Sequence, residues 1–203
     1  MAIIVDKDQK RRDIARSCKE IILQNGIQNL TISTIAKTAG IGKGTFYEYF
    51  KSKEALLFEL VNILLQEYNI RMETKLSQAE TTKEKVKVFS DFFYEEESHD
   101  LLILYKMFTG VSLLSPQKEM IDFQRECFDH YYVWFERLIE EGIAKGEILP
   151  EVMKMTRGIF ATAQGMYIVA QTTHCTTESL KQDIHAYIDT LFDLCAVSVK
   201  GER

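Results

Sequence analysis

The chain has 203 residues, 46% of them hydrophobic and 27% charged, with a formal net charge of −5. That composition suits a folded, core-forming protein and excludes a disordered, collagen-like or low-complexity one. Two prolines and ten glycines are too few for the closely spaced turns of a strand-rich fold, so the chain reads as all-α.

The elements follow in order from apolar spacing and end signals. Ile14, Cys18 and Ile22 form a helical stripe that Asn25-Gly26 ends. Thr31 caps a short second helix carrying Ile32, Ile35, Ala36 and Ala39, and Gly40 stops it. A third short helix starts near Gly42-Lys43 and runs through Phe50. Ser52 caps a fourth of roughly 25 residues, or ~38 Å. Thr81 and Glu84 have capping-box spacing and open a fifth helix ending near Glu97. A sixth spans about Asp100 to Phe108, with Gly110 after it. Ser115-Pro116 and Leu149-Pro150 frame a seventh helix of about 30 residues and open an eighth that ends near Thr172. Thr176 starts the last helix, which continues to about Val199. The expectation is about nine helices, with no strand and no internal repeat.

Charge is unevenly spread. Residues 1–53 hold ten Lys and Arg against five acids, and the remainder hold fifteen against twenty-five. A basic head on an acidic body suits a phosphate-binding end; a basic, solvated first helix is the alternative. The cysteines Cys18, Cys127, Cys175 and Cys195 are scattered, with no paired spacing, so they read as small core residues. His99 and His130 lack partners at ligand spacing, and neither a metal nor a cofactor is expected. No stretch reaches the ~18–20 apolar residues of a membrane span, and the start, MAIIVDKDQKRRD, lacks a secretory apolar segment. A cytoplasmic protein without membrane contact is expected.

Residues 31–53, TISTIAKTAGIGKGTFYEYFKSK, have helix-turn-helix spacing. Gly40 allows the sharp turn, small Ala36 and Ala39 let the helices cross closely, and Ile35, Ile41 and Phe46 bury the inner faces. The second of these helices is then free to enter a major groove ~12 Å wide. Here the chain resembles the TetR family of bacterial transcription regulators in its AcrR-like form. The resemblance rests on Thr31, Ile35-Ala36, Ala39-Gly40, Lys43-Gly44-Thr45, Tyr47, Phe50, Lys53 and Leu56, and extends from about Ala15 to Leu57. Gly42 departs from the serine that often caps the recognition helix. Lys43 and Thr45 in the first turn are expected to reach base edges, and Gly44 permits close backbone approach. Tyr47, Tyr49, Lys53, Thr31 and Ser33 are expected to hold phosphates.

The resemblance implies a DNA-binding domain of residues 1–53 and an effector-binding and dimerisation domain of residues 54–203. It also implies a homodimer on a palindromic operator, and a small-molecule effector that moves the fourth helix. Independently, Gly158, Ala161, Gly165 and Thr172 make a small-residue stripe, and Ile184, Ile188, Leu191, Cys195 and Val199 an apolar seam, for a two-helix interface with a mate. Packing of both stripes inside one protomer is the alternative. The seventh helix has two apolar faces, Ile121, Phe128, Phe135 and Gly142 on one and Phe123, Cys127, His130 and Trp134 on the other. The expected effector site draws on Phe92, Tyr105, Phe108, Phe128, Tyr131, Gln164 and Tyr167, with Phe89, Phe93, Met107 and Met166 nearby, and suits an apolar or aromatic molecule. Simple core filling is the competing reading of these aromatics. No phosphate loop, metal cluster or nucleophile–base motif supports an enzyme. A ligand-released repressor is the leading reading; an architectural or partner-controlled DNA-binding factor without a ligand is the other.

Overall fold

Short polar side chains set several of the helix starts. Thr31 Oγ1 accepts from the Thr34 amide at 3.2 Å, Ser52 Oγ from that of Ala55 at 3.1 Å and Thr176 Oγ1 from that of Ser179 at 3.1 Å. Thr81 and Glu84 form the reciprocal capping box, each accepting from the other's amide. The structure, a computed structural model, describes residues 6–114 and 116–196. Its helices are α1 (Lys7–Ser17), α2 (Lys19–Asn25), α3 (Ile32–Thr38), α4 (Lys43–Tyr49), α5 (Lys53–Gln78), α6 (Thr82–Ser90), α7 (His99–Leu114), α8 (Lys118–Ala144), α9 (Thr156–Thr173) and α10 (Thr177–Cys195). Among the described residues β pairing is limited to one isolated antiparallel bridge, Ile148 to Ala196, and no helix is long and apolar enough to cross a membrane. The all-α expectation holds.

Among the described residues ten helices replace about nine because the first expected helix divides at Cys18. There the amide closes onto Ala15 at 3.2 Å, a tighter i−3 bond. The fifth ends at Ser90 and passes into 3-10 turns at Asp91–Phe93 and Glu96–Ser98. Gly110 does not stop α7, which continues to Leu114. Pro150 opens a 3-10 turn, Pro150–Met155, and the α-helix proper begins at Thr156. Ser115 and the Val199 end of the last helix lie outside the described residues.

The helices gather into two compact units. The first comprises the residues up to Asn69 together with Asp100–Gln124. Its core joins Ile14, Ile22 and Ile35 to Phe46, Leu57, Leu60, Leu104, Phe108 and Met120, so α7 and the start of α8 share one apolar interior with α1–α4. Ion pairs Arg11–Glu59 (2.7 Å) and Lys19–Asp100 (2.8 Å) bind its rim. Phe58 stacks on Phe123 at 4.5 Å, with Phe108 beside both.

The second unit comprises Ile70–His99 and the residues from Arg125 onward. Here α10 lays Leu180, Ile184, Ile188 and Phe192 against α6 and α9. The start of α6 seats closely on α8: a β-carbon added at Gly142 would lie 2.5 Å from Thr82 Oγ1. The Thr82 amide donates to Glu147 Oε2 at 2.6 Å beside that contact.

Candidate nucleic-acid interface and effector cavity

The turn between α3 and α4 is built by backbone geometry. Gly40 takes φ +66°, a left-handed conformation that glycine adopts without strain, and the Ile41 amide returns to Ala36 O at 2.9 Å. Ile35, Ala36 and Phe46 are buried on the inner side. This leaves Lys43, Gly44, Tyr47 and Glu48 exposed on the outer face of α4, with Thr45 half-buried. Tyr47 is 58% exposed, its ring edge-on to Phe46 at 5.6 Å, so it is supported from beneath and open above. Gly42 starts α4 without any side-chain cap. A methyl group at Gly44 would meet nothing within 4 Å, so that surface is open to an approaching backbone.

The other expected contacts divide. Ser33 and Thr31 are exposed, but the Thr31 hydroxyl is already engaged as the α3 cap. Tyr49 is half-buried and packs against the core. Lys53 is engaged within the protein. Its ammonium donates to Gln28 O at 2.9 Å and Leu30 O at 3.2 Å, which ties the chain ahead of α3 to the start of α5. Its charge is therefore directed at orphan carbonyls of the protein itself. Lys7, Lys10, Arg12, Lys37, Lys43 and Lys51 are exposed and have no ion-pair partner among the described residues. These six carry the positive surface of the head.

The second unit contains an apolar cavity of about 40 Å³. Its walls are Phe89 and Phe93, Phe135 of α8, Phe160 and Met166 of α9, and Ile184 and Ile188 of α10, with Ser90 and Tyr187 as its polar lining. None of the seven expected effector residues lines it. Phe93 takes the place expected for Phe92, Met166 that for Tyr167, and Phe135 that for Phe128 and Tyr131. Phe128 and Tyr132 instead stack in parallel (9° between rings), with the Arg157 guanidinium 5.0 Å from the Tyr132 ring centroid. Gln164 is half-buried and Tyr167 buried beside Phe93 at 5.5 Å. Tyr105 and Phe108 belong to the first unit, where Phe108 is core. The residues that sequence reasoning left out, Val86, Ser90, Ile159, Phe160, Ala163 and Tyr187, follow helical spacing. Along α6 and the 3-10 turn that follows it, the series Val86, Phe89, Ser90, Phe93 is i, i+3, i+4, i+7 and was the available signal.

The expected mate-facing surface also divides. Gly158, Ala161 and Gly165 are exposed on α9, continuous along the helix with Val169, which is 58% exposed. Ile184 and Ile188 are 1% and 3% exposed, core residues of the protomer that line the cavity, and this corrects their expected place on the seam. Leu191 and Cys195 are half-buried, whereas Leu194 is 78% exposed. Burial pushes the Cys127 thiol up to about 11, helped by Glu126, and also raises that of Cys18. Among the described residues no group of His, Cys, Asp and Glu side chains is arranged to hold a metal.

Comparison with known proteins bears on this arrangement. Residues 12–60, spanning α3, the turn and α4, match the family model described as bacterial regulatory proteins, tetR family. The fatty acid metabolism regulator protein of Bacillus subtilis is 31% identical over 144 residues, which are 70% of this chain and 72% of that protein. The chain belongs to the TetR family. The fold agrees throughout: a TetR-family regulator from Cytophaga hutchinsonii superimposes with a TM-score of 0.76 at 15% identity, covering 96% of this chain and 98% of that one. The fatty acid degradation regulator FadR from Bacillus halodurans gives 0.69 at 22% identity, covering 94% and 98%. As a TetR-family protein this chain is a DNA-binding transcriptional regulator with an N-terminal helix-turn-helix, and its relatives are regulators rather than enzymes.

Proposed function

We propose that this regulator is a cytoplasmic homodimeric repressor that binds a palindromic operator through α4 and releases it when an apolar, acyl-type effector enters the second unit. The observation that carries the DNA reading is the outer face of α4. Lys43, Gly44 and Tyr47 stand open there beside unpaired lysines, on a helix whose other face is locked by Phe46 and Phe50. Lys43 suits guanine O6/N7, Thr45 a thymine methyl or a hydrogen bond, and Tyr47 and Ser33 a phosphate. Residues 1–53 are the reading head in this proposal and residues 54–203 the effector and dimer body. Two heads related by a twofold axis read half-sites ~34 Å apart.

The mate-facing surface is drawn from Gly158, Ala161, Gly165 and Val169 of α9 and from Leu191, Leu194 and Cys195 of α10. The small residues admit close helix approach, and the exposed apolar side chains gain burial. For the effector, the support is the apolar cavity together with relatives named for fatty acid metabolism and degradation. At about 40 Å³ the cavity is well below the ~300–1,000 Å³ of a filled ligand site, so the effector must expand it. That expansion is the differential interaction that repression release requires; ~5.5 kcal/mol shifts a 1:99 balance to 99:1.

Selection of binding sites from random duplex DNA at ~150 mM salt tests the reading. A palindrome is expected, with Lys43→Ala weakening binding by about 1–3 kcal/mol and relaxing selection at one position per half-site. Binding without an enriched sequence would favour the architectural role.

A further inference from the structure

The cavity is too small to be a loaded site, so one of its walls must part, and the walls are not equally strong. The α8–α9 side is closed by aromatic packing. Phe160 touches Phe89, Phe128, Tyr132 and Phe135, with ring centroids 5.2–6.4 Å apart. Opening there would expose several large rings to water. The α6–α10 side has aliphatic Ile184 and Ile188 on its inner face and is closed at the surface by polar bonds. Lys87 Nζ lies 2.7 Å from Asp189 and Lys83 Nζ 3.0 Å from Asp193, all partly exposed, and such pairs contribute little to holding two helices together.

One part-buried bond completes this second seam. Tyr94 Oη lies 2.8 Å from His185 Nε2, 2.8 Å from Asp91 Oδ1 and 2.9 Å from Ser90 Oγ. The Asp91 carboxylate only accepts, so the single tyrosine proton goes to it, and His185 Nε2–H donates to Tyr94. The latch residues adjoin the cavity on both sides: Phe93 and Ser90 line it beside Tyr94, and Ile184 beside His185. Lys181 lies over the Tyr94 ring at 5.6 Å, so three lysines border the seam.

We propose that the cavity opens along the α6–α10 seam, where Lys83, Lys87 and Lys181 receive the anionic end of an effector whose apolar chain fills the space behind Tyr94 and His185. This rests on the cavity being the effector site. The incoming anion shares the Lys87 ammonium with Asp189, adding one charge-assisted bond, and parting of the helices breaks the Tyr94–His185 bond. The aromatic α8–α9 wall stays closed, and the apolar contact that parts is that of Ile184 and Ile188, which the acyl chain covers again.

The chain's single tryptophan reports on the site, because Trp134 lies edge-on to the cavity residue Phe89 at 5.6 Å. Dodecanoate and 1-dodecanol, which share a chain and differ in head group, are titrated into the full-length protein and followed by Trp134 fluorescence and calorimetry. Dodecanoate is expected to bind about tenfold tighter than dodecanol, the worth of one charge-assisted hydrogen bond. Lys87→Met should remove that advantage and leave dodecanol binding unchanged. Tyr94→Phe, which removes the latch hydroxyl, should tighten both ligands. Equal binding of acid and alcohol, or equal weakening of both by Lys87→Met, would overturn the seam as head-group site while the cavity stands. Failure of both ligands to bind would overturn the cavity reading and this inference with it.

Discussion

Replacing Gly142 by alanine puts two opposed effects at one atom. In a helix interior the substitution gains about 1 kcal/mol from the lower backbone entropy of alanine. Here the new methyl would lie 2.5 Å from Thr82 Oγ1, 2.7 Å from Thr82 Cγ2 and 3.0 Å from Thr82 Cβ. Thr82 is β-branched, buried and in the first turn of α6, so it has little freedom to rotate away. The start of α6 must move instead, which costs about 1–3 kcal/mol in overpacking. That movement also strains the 2.6 Å bond from the Thr82 amide to Glu147, a charge-assisted contact worth about 1.5–3 kcal/mol. Loss exceeds gain by about 2 kcal/mol, so thermal unfolding at fixed protein concentration should fall by about 4–8 °C in a chain of this length. Gly110→Ala is the control: in α7 nothing lies within 4 Å of the added methyl, and stability should rise. Thr82→Ala in the Gly142→Ala background should recover part of the loss, because only the β-carbon contact survives. A melting temperature for Gly142→Ala that rises like that of Gly110→Ala would refute the close seating of α6 on α8.

Lys53→Met should lower stability by about 1 kcal/mol, since two carbonyls lose a charged donor, and leave the salt dependence of operator binding unchanged; a shallower salt slope with unchanged melting would return Lys53 to the phosphate contacts. Gly165→Ala should weaken self-association measured by sedimentation while leaving the protomer's helix content intact, because the methyl meets nothing within the chain and projects where a mate would pack; unaltered association would remove Gly165 from the interface. His185 is held below its ordinary value by burial and then by Lys87 and Lys181, against the opposing pull of Asp189 and Glu178. The folded protein therefore resists protonating it, so stability present above ~6.5 should decline as pH falls below that value. His185→Gln should flatten this part of the melting-temperature profile, and a superimposable profile would remove His185 as its cause.

The helix-turn-helix was legible because its determinants are local. Thr31, Gly40 and the paired alanines act through cap and turn geometry that one stretch of chain specifies by itself. Most caps were legible for the same reason. The cavity was not, because α8 carries apolar residues around much of its circumference and periodicity then gives no phase. Phe128 and Phe135 share a heptad face in the sequence, yet only Phe135 reaches the cavity. On α10 the seam of Ile184 and Ile188 was correctly apolar, but which partner covers it depends on α6, almost a hundred residues earlier. The Lys53 contacts were not legible either, because the carbonyls of Gln28 and Leu30 that it reaches lie more than twenty residues earlier in the chain.

The shared interior of the first unit bears on how such regulators are rebuilt. Leu56, Leu57 and Leu60 from α5, Leu104 and Phe108 from α7 and Met120 from α8 fill the same core as Ile14, Ile35 and Phe46. A chimera cut after residue 53, to give this body another operator preference, would place a foreign head against side chains shaped for the original. The transplantable part is a discontinuous one, and a graft that also carries the α7 and α8 residues of that core exchanges specificity without opening the interior.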